Sequence, residues 1–226
     1  MTLFQFRYIF KIKIHVCAKP LLSLYKNATM LFRIIFCWNS AMPRIPLLTA
    51  DTATGDAIRA LNGSTGHLNI FRALAHADGC ILPLMKLGSA ILTRQKLSDL
   101  ARELLILLAV GIEGGEYEWI QHVDITLSVG GTQAQIDAIQ ARDLDNVVFS
   151  ASQRALLKFG EQVVESVRVD AVVFAELRQH VSDQEIVEAI IAMGFYMTLA
   201  RITEALEIEP DAVQGVAVLA AAKKSR

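Results

Sequence analysis

Thiol pairs are what this chain conspicuously lacks: its three cysteines, Cys17, Cys37 and Cys80, form no CxxC and show no metal-type spacing. A disulfide framework is therefore not indicated, and a reducing compartment, the cytoplasm, is the expected setting. Glycine-rich phosphate cradles of the GxGxxG or GxxxxGK[ST] kind are missing as well, so no phosphate-bearing cofactor is expected. Proline is scarce, five in all, with only Pro83 and Pro210 beyond residue 46. No alternating β-branched run of useful length occurs, which argues against a sheet. Acidic residues are absent from the first 50 positions, which carry seven basic ones. The remainder holds 15 basic against 23 acidic side chains, a net of −8, and an acidic body argues against a nucleic-acid partner.

Apolar residues, by contrast, are abundant: 53% of the 226 positions, with a mean hydropathy of +0.39. Two sources account for this. One is the leader, residues 1–41, rich in Phe, Ile, Leu, Lys and Arg. Its apolar runs, Leu21 to Leu24 and Met30 to Trp38, are too short and too interrupted for a stable membrane span. The composition changes at Met42, where MPRIPLLT reads as the opening of a domain over 42–226. The leader is thus read as an upstream extension, with a mitochondrial-type presequence or an anchor as alternatives. The other source is a domain that buries surface against copies of itself.

After Met42 the signals are helical. Thr132 with Gln135, Ser150 with Gln153 and Ser182 with Glu185 fit the capping-box spacing, and Ser98 reads as an N-cap. Periodicity predicts helices near 53–61, 67–76, 80–92, 98–112, 115–129, 132–140, 150–167, 170–179 and 183–205. Gly114-Gly115 breaks the fourth from the fifth, and Gly130-Gly131 ends the fifth. Short loops favour antiparallel neighbours in an all-α bundle. Leu104 to Val110 is apolar on every side, which predicts a central helix buried all round.

The densest polar cluster beside that helix runs from Glu113 to His122. Glu118 and His122 are four apart and share a helix face, where a carboxylate can orient an imidazole ring. Glu103 interrupts the apolar stretch from Leu97 to Val110, and a carboxylate there needs a partner; His122 is the natural one. Zinc would need more ligands than this pair, and no HExxH lies nearby, so no metal is expected. Such a pair is also a common structural or solvated contact, and Tyr117 and Trp119 beside it are ordinary packing residues.

The run RELLILLAVGIEGGEYEWIQHV, from Arg102 to Val123, resembles the signature helix pair of the carboxymuconolactone decarboxylase and alkylhydroperoxidase AhpD-like superfamily. Thiol-dependent members of that superfamily carry Glu, eleven residues, Cys-x-x-Cys, three residues and His. Here Glu103 and His122 match the two ends, while Gly115 and Glu118 stand at the cysteine positions. The likeness extends from Met42 to about Glu209, through LNIFRALAHADGCILPLM before the signature and QEIVEAIIAMGFYMTLARITEAL after it.

The resemblance implies an AhpD-like helical bundle in two helical halves, assembled as a homo-oligomer, a trimer or a hexamer of that unit. With neither cysteine present, it implies a cofactor-independent acid–base enzyme acting on a small carboxylated or lactone-type molecule, a decarboxylase being one form. His122 is then the acid–base group, and Glu103 orients it or relays its proton. Glu118 tunes the histidine or takes the place of a thiol, with Tyr117, Tyr196 and Arg201 as substrate-binding candidates. Arg201 has a plainer alternative, an ion pair with Glu204 or Glu103. Two alternatives stand beside this reading: an AhpD-like oxidoreductase working through Cys80, and a non-catalytic oligomeric member.

Overall fold

Capping residues set the helix boundaries. A computed structural model describes residues 42–224, in which ten helices and no strand are found. The leader of residues 1–41 lies outside the described residues. In chain order the helices are α1 Gly55–Leu61, α2 Asn69–Leu74, α3 Asp78–Thr93, α4 Asp99–Glu113, α5 Glu116–Ser128, α6 Gln133–Ala141, α7 Ala151–Ser166, α8 Ala171–Leu177, α9 Asp183–Ala205 and α10 Gly215–Lys224.

All three capping boxes form at the starts of α6, α7 and α9. In each, the Ser or Thr hydroxyl accepts from the backbone N–H three residues on, and the Gln or Glu there accepts from the cap's own N–H. Ser98 caps α4, its Oγ accepting from Ala101 N–H. Helix α3 begins two residues earlier than the periodicity predicts, at Asp78, so Pro83 falls in its second turn. Having no N–H, Pro83 leaves the Gly79 carbonyl without its helical donor. The tenth helix, α10, lies beyond the last helix that periodicity predicts, on a run from Gly215 that is rich in Ala and closes on Lys223 and Lys224.

Helix α4 is the axle. From Leu104 to Val110 no residue is more than 1% exposed. Each large aliphatic side chain so buried contributes about 1.5–3 kcal/mol relative to exposure. Around it pack α5, α6, α7 and α9. On one side Leu105 and Ala109 meet Leu156, Phe159, Ala189 and Met193. On another, Leu104 and Leu108 meet Ile136, Ile139 and Phe149. Helices α1 to α3 form a second cluster, in which Ala57, Ile70, Leu74 and Ile81 close on Tyr117 and Ile208.

Helix α9 buries Ile186, Ala189, Met193, Tyr196, Ala200 and Thr203, at intervals of three and four residues. That stripe is the core face of a packed helix. Its 23 residues are also long and apolar enough to cross a membrane by length and composition, yet its inner face is occupied by α4, α5 and α7. Part of the hydropathy comes from the opposite face, where Val187, Ile190 and Ile191 are exposed.

Candidate functional site

The turn between α4 and α5 creates the site. Gly114 ends α4 in the left-handed conformation, φ 77°, which glycine adopts without the Cβ penalty of other residues. Gly115 follows, its N–H donating to Val110 O at 2.8 Å, and the chain turns back as α5. The antiparallel return brings His122 across from Glu103: the imidazole Nδ1 lies 2.6 Å from Glu103 Oε2, with both side chains buried. Thr126 Oγ1 donates to the His122 carbonyl at 2.7 Å, and the Tyr196 ring from α9 stands edge-on against the imidazole at 4.4 Å between centroids.

Glu103 has a second partner that the sequence reading missed. Arg102, 1% exposed, donates from Nε to Glu103 Oε1 at 2.9 Å and from Nη1 to Asp99 Oδ1 at 2.8 Å. Lys223, from α10, reaches the other oxygen of Asp99 at 3.2 Å. An ionic chain thus runs from the surface through Asp99, Arg102 and Glu103 to His122. The signal was present, in that an Arg-Glu doublet ahead of seven apolar residues buries two charges that must answer each other.

Glu118 departs from expectation. It shares a face with His122, as the spacing requires, but makes no hydrogen bond to it. Its carboxylate instead accepts from Thr203 Oγ1, at 3.0 and 3.3 Å. The physical reason is that Glu103 already occupies the Nδ1 side of the imidazole, while α9 offers a buried hydroxyl to Glu118. Burial above all, with the nearby charge of Glu204, pushes the Glu118 carboxyl up to about 7 against the bonds from Thr203 and its own backbone N–H.

These groups open on a cavity of about 620 Å³, lined by residues of α1, α2, α3, α5, α9 and α10 and of the loop after α1. Glu118, His122, Tyr117 and Tyr196 all line it. With Nδ1 held by Glu103, Nε2 is the ring nitrogen left for a ligand. Tyr117 is tied down: its hydroxyl donates to Asp211 Oδ2 at 2.5 Å, and Asp211 also accepts from Asn69 N–H at 2.7 Å. Burial, then the Asp211 carboxylate, holds the Tyr117 hydroxyl well above the ordinary phenol range. Tyr196, also buried, is raised too, by burial and then by Glu103.

Arg201 does not belong to this group. It is exposed, does not line the cavity, and pairs with Glu113 at 2.7 Å. This corrects the substrate-binding expectation: the residue lies on the outward side of α9, where it meets the end of α4, and the ion-pair alternative named the wrong glutamates. Cys80 is exposed and lines a separate shallow groove with Leu84, Leu87, Ile191 and Phe195. The position of the first superfamily cysteine is closed by packing. A Cβ on Gly115 would stand 2.6 Å from the Ala200 Cβ and 3.1 Å from Glu118 Oε2.

Several solved structures share this architecture. An uncharacterized peroxidase-related protein from Ralstonia eutropha, described as an alkylhydroperoxidase AhpD core, superposes with a TM-score of 0.65 at 17% identity, over 80% of this chain and 97% of its own. This is the AhpD-like fold. A putative antioxidant defence protein AhpD from Agrobacterium tumefaciens aligns at 24% identity with a TM-score of 0.56, over 61% of this chain and 95% of its own. The debrominase Bmp8 aligns at 16% identity with a TM-score of 0.58, over 82% and 99%. No family model and no curated protein matches the sequence. The AhpD-like neighbours carry names of different activities, antioxidant, peroxidase-related and debrominase, so the fold leaves the reaction to be argued from the site.

Proposed function

We propose that this chain is a cofactor-independent acid–base enzyme acting on a small carboxylated or lactone-type molecule, with His122 as the proton-transferring group. The observation that carries the reading is the buried Glu103–His122 pair at 2.6 Å, whose imidazole lines a cavity in which the other buried polar side chains are Glu118 and the two tyrosines. In a decarboxylation, the electrons of the breaking C–C bond pass into the carbonyl-conjugated system as CO₂ leaves. His122 Nε2–H then protonates the resulting carbanion at carbon, and solvent returns the proton. Glu103, anchored by Arg102, holds the ring in register. Glu118, a carboxyl near 7, serves as a second acid or base on the same wall.

The thiol reading has less support, because Gly115 and Glu118 stand at the cysteine positions and Cys80 lies outside the cavity. Self-association belongs to the proposal as well. Leu87 on α3 and Val187, Ile190 and Ile191 on α9 are exposed apolar side chains of the kind a trimer or hexamer buries. Sedimentation across concentrations tests that point, and a clean monomer overturns it.

The reaction is tested on the full chain and on His122→Ala and Glu103→Gln. CO₂ release is measured from a panel of carboxylated lactones and β-keto acids, and hydroperoxide consumption with a dithiol reductant. Histidine-dependent CO₂ release without peroxide turnover is the expected result. Peroxide turnover that survives His122→Ala and is lost in Cys80→Ser would overturn the assignment of the site.

A further inference from the structure

The charge of the cavity wall runs opposite to that of the domain. Over residues 51–226 acidic side chains outnumber basic ones, 23 to 15. The cavity is lined by three cations, Arg59, Lys86 and Arg94, and by one carboxyl, Glu118, which burial keeps partly protonated near neutral pH. The three cations are exposed, whereas Glu118 and His122 are buried, so the positive charge sits at the mouth and the acid–base groups at the inner wall. Arg59 is bonded to Asp56 on its own helix. Lys86 and Arg94 have no ion-pair or hydrogen-bond partner for their charged ends among the described residues. Lys86 lies midway along α3 and Arg94 is its C-cap, eight residues apart, a rise of about 12 Å along the helix axis that two long, flexible side chains can span.

Most of the remaining lining is apolar, with Thr65, Ser89 and Gln121 among the exceptions. Leu68, Ile70 and Phe71 come from α2 and its cap, Met85 from α3, Leu199 from α9 and Val218 from α10. The volume of about 620 Å³ is in the range that encloses a drug-sized organic molecule rather than a two- or three-carbon acid. Concavity and an apolar wall exclude a polynucleotide or a protein surface as occupant. The unpaired cations disfavour a cationic ligand by like-charge repulsion and leave a neutral one with no partner for them.

We infer that the cavity binds an amphipathic organic anion, its carboxylate or sulfonate at Lys86 and Arg94 and its apolar body against the α2–α3 wall. This rests on the proposed reading only in taking the cavity as the substrate's place, and it names the substrate class. It also gives an orientation: the anion at the mouth leaves the far end of the molecule at His122 and Glu118. A substrate with two acidic groups, or an acid and a lactone, would be held by one and react at the other. Charge at the mouth of an otherwise acidic domain further selects anions during encounter, an effect that salt weakens.

The test uses the full chain and calorimetric titration with naphthoate and its uncharged counterpart naphthylmethanol. Naphthoate is expected to bind at one site per chain, about tenfold tighter than naphthylmethanol, a factor two solvent-screened contacts can supply. The Lys86→Ala/Arg94→Ala variant should weaken naphthoate about tenfold and leave naphthylmethanol within about twofold. Both positions are exposed, so helical content and melting temperature should be unchanged. Ser89→Trp, which fills the cavity from α3, should abolish both ligands. Equal binding of the two ligands, indifference of naphthoate to the charge pair, or binding that survives Ser89→Trp would each overturn the inference, as would no binding of either ligand by a folded protein. Binding that behaves as expected without His122-dependent turnover of any acid would leave the anion site standing and sink the reaction. Turnover indifferent to Lys86 and Arg94 would do the reverse.

Discussion

Replacing Arg102 by Met measures how much the site depends on its buried ionic chain. Arg102 is 1% exposed and Glu103 0%, so neither can turn to water when the other is removed. Breaking a buried pair from one side costs about 3–5 kcal/mol, because a carboxylate stays in the interior with half its partners gone. An opposing term reduces this. Arg102 Nη2 is buried with no hydrogen-bond partner, and removing it relieves about 1 kcal/mol. Asp99 adds little, since it is 42% exposed and keeps its contact with Lys223. The expected net loss is about 2–4 kcal/mol, a large part of the roughly 5–15 kcal/mol typical of a domain. Urea unfolding reads it as a fall in midpoint of about 1–2 M at unchanged slope. Arg102→Met/Glu103→Gln removes both charges and should recover at least about half of the loss, a coupling that independent sites do not show. A single variant within about 0.5 kcal/mol of the parent, or a double variant that loses the sum of the singles, would refute the chain.

The remaining predictions concern Glu118, Gly115 and Cys80. The Glu118 carboxyl titrates near 4.5 when unfolded and near 7 when folded, so between those values only the folded chain holds the proton. Its contribution is full below pH 4.5 and is lost as pH rises through 7, about 3 kcal/mol in all, and Glu118→Gln should flatten that slope in unfolding measured from pH 4 to 8. A slope unchanged in the variant would mean another group carries it. Gly115→Cys, which restores the first superfamily cysteine, pushes its Cβ to 2.6 Å from Ala200. Overpacking of about 1–3 kcal/mol should lower the melting temperature by about 3–8 °C, and Ala200→Gly should restore part of it. Cys80→Ser, at an exposed position outside the cavity, should leave stability within about 0.5 kcal/mol and ligand binding unchanged. Loss of ligand binding in that variant would bring the α3–α9 groove into the site.

The features legible along the chain alone are local and periodic. Capping residues at 98, 132, 150 and 182 fixed four helix starts, because a side-chain oxygen meets an orphan N–H only three residues away. The unbroken apolar run from Leu104 to Val110 dictated a central helix, since no face of it can sit in water. The Glu103–His122 pairing was legible for the same reason: a lone carboxylate in such a run requires a partner, and a tight glycine turn leaves few. Tertiary structure decided everything that depends on elements distant in the chain. Thr203, 85 residues on, takes Glu118 away from His122. Ala200 closes the place of a thiol at Gly115. Asp211 ties Tyr117, α10 walls the cavity, and Glu113 draws Arg201 out of reach of it. Spacing along one helix shows which residues can share a face, but whether a second helix offers a better partner depends on packing, and packing is not periodic.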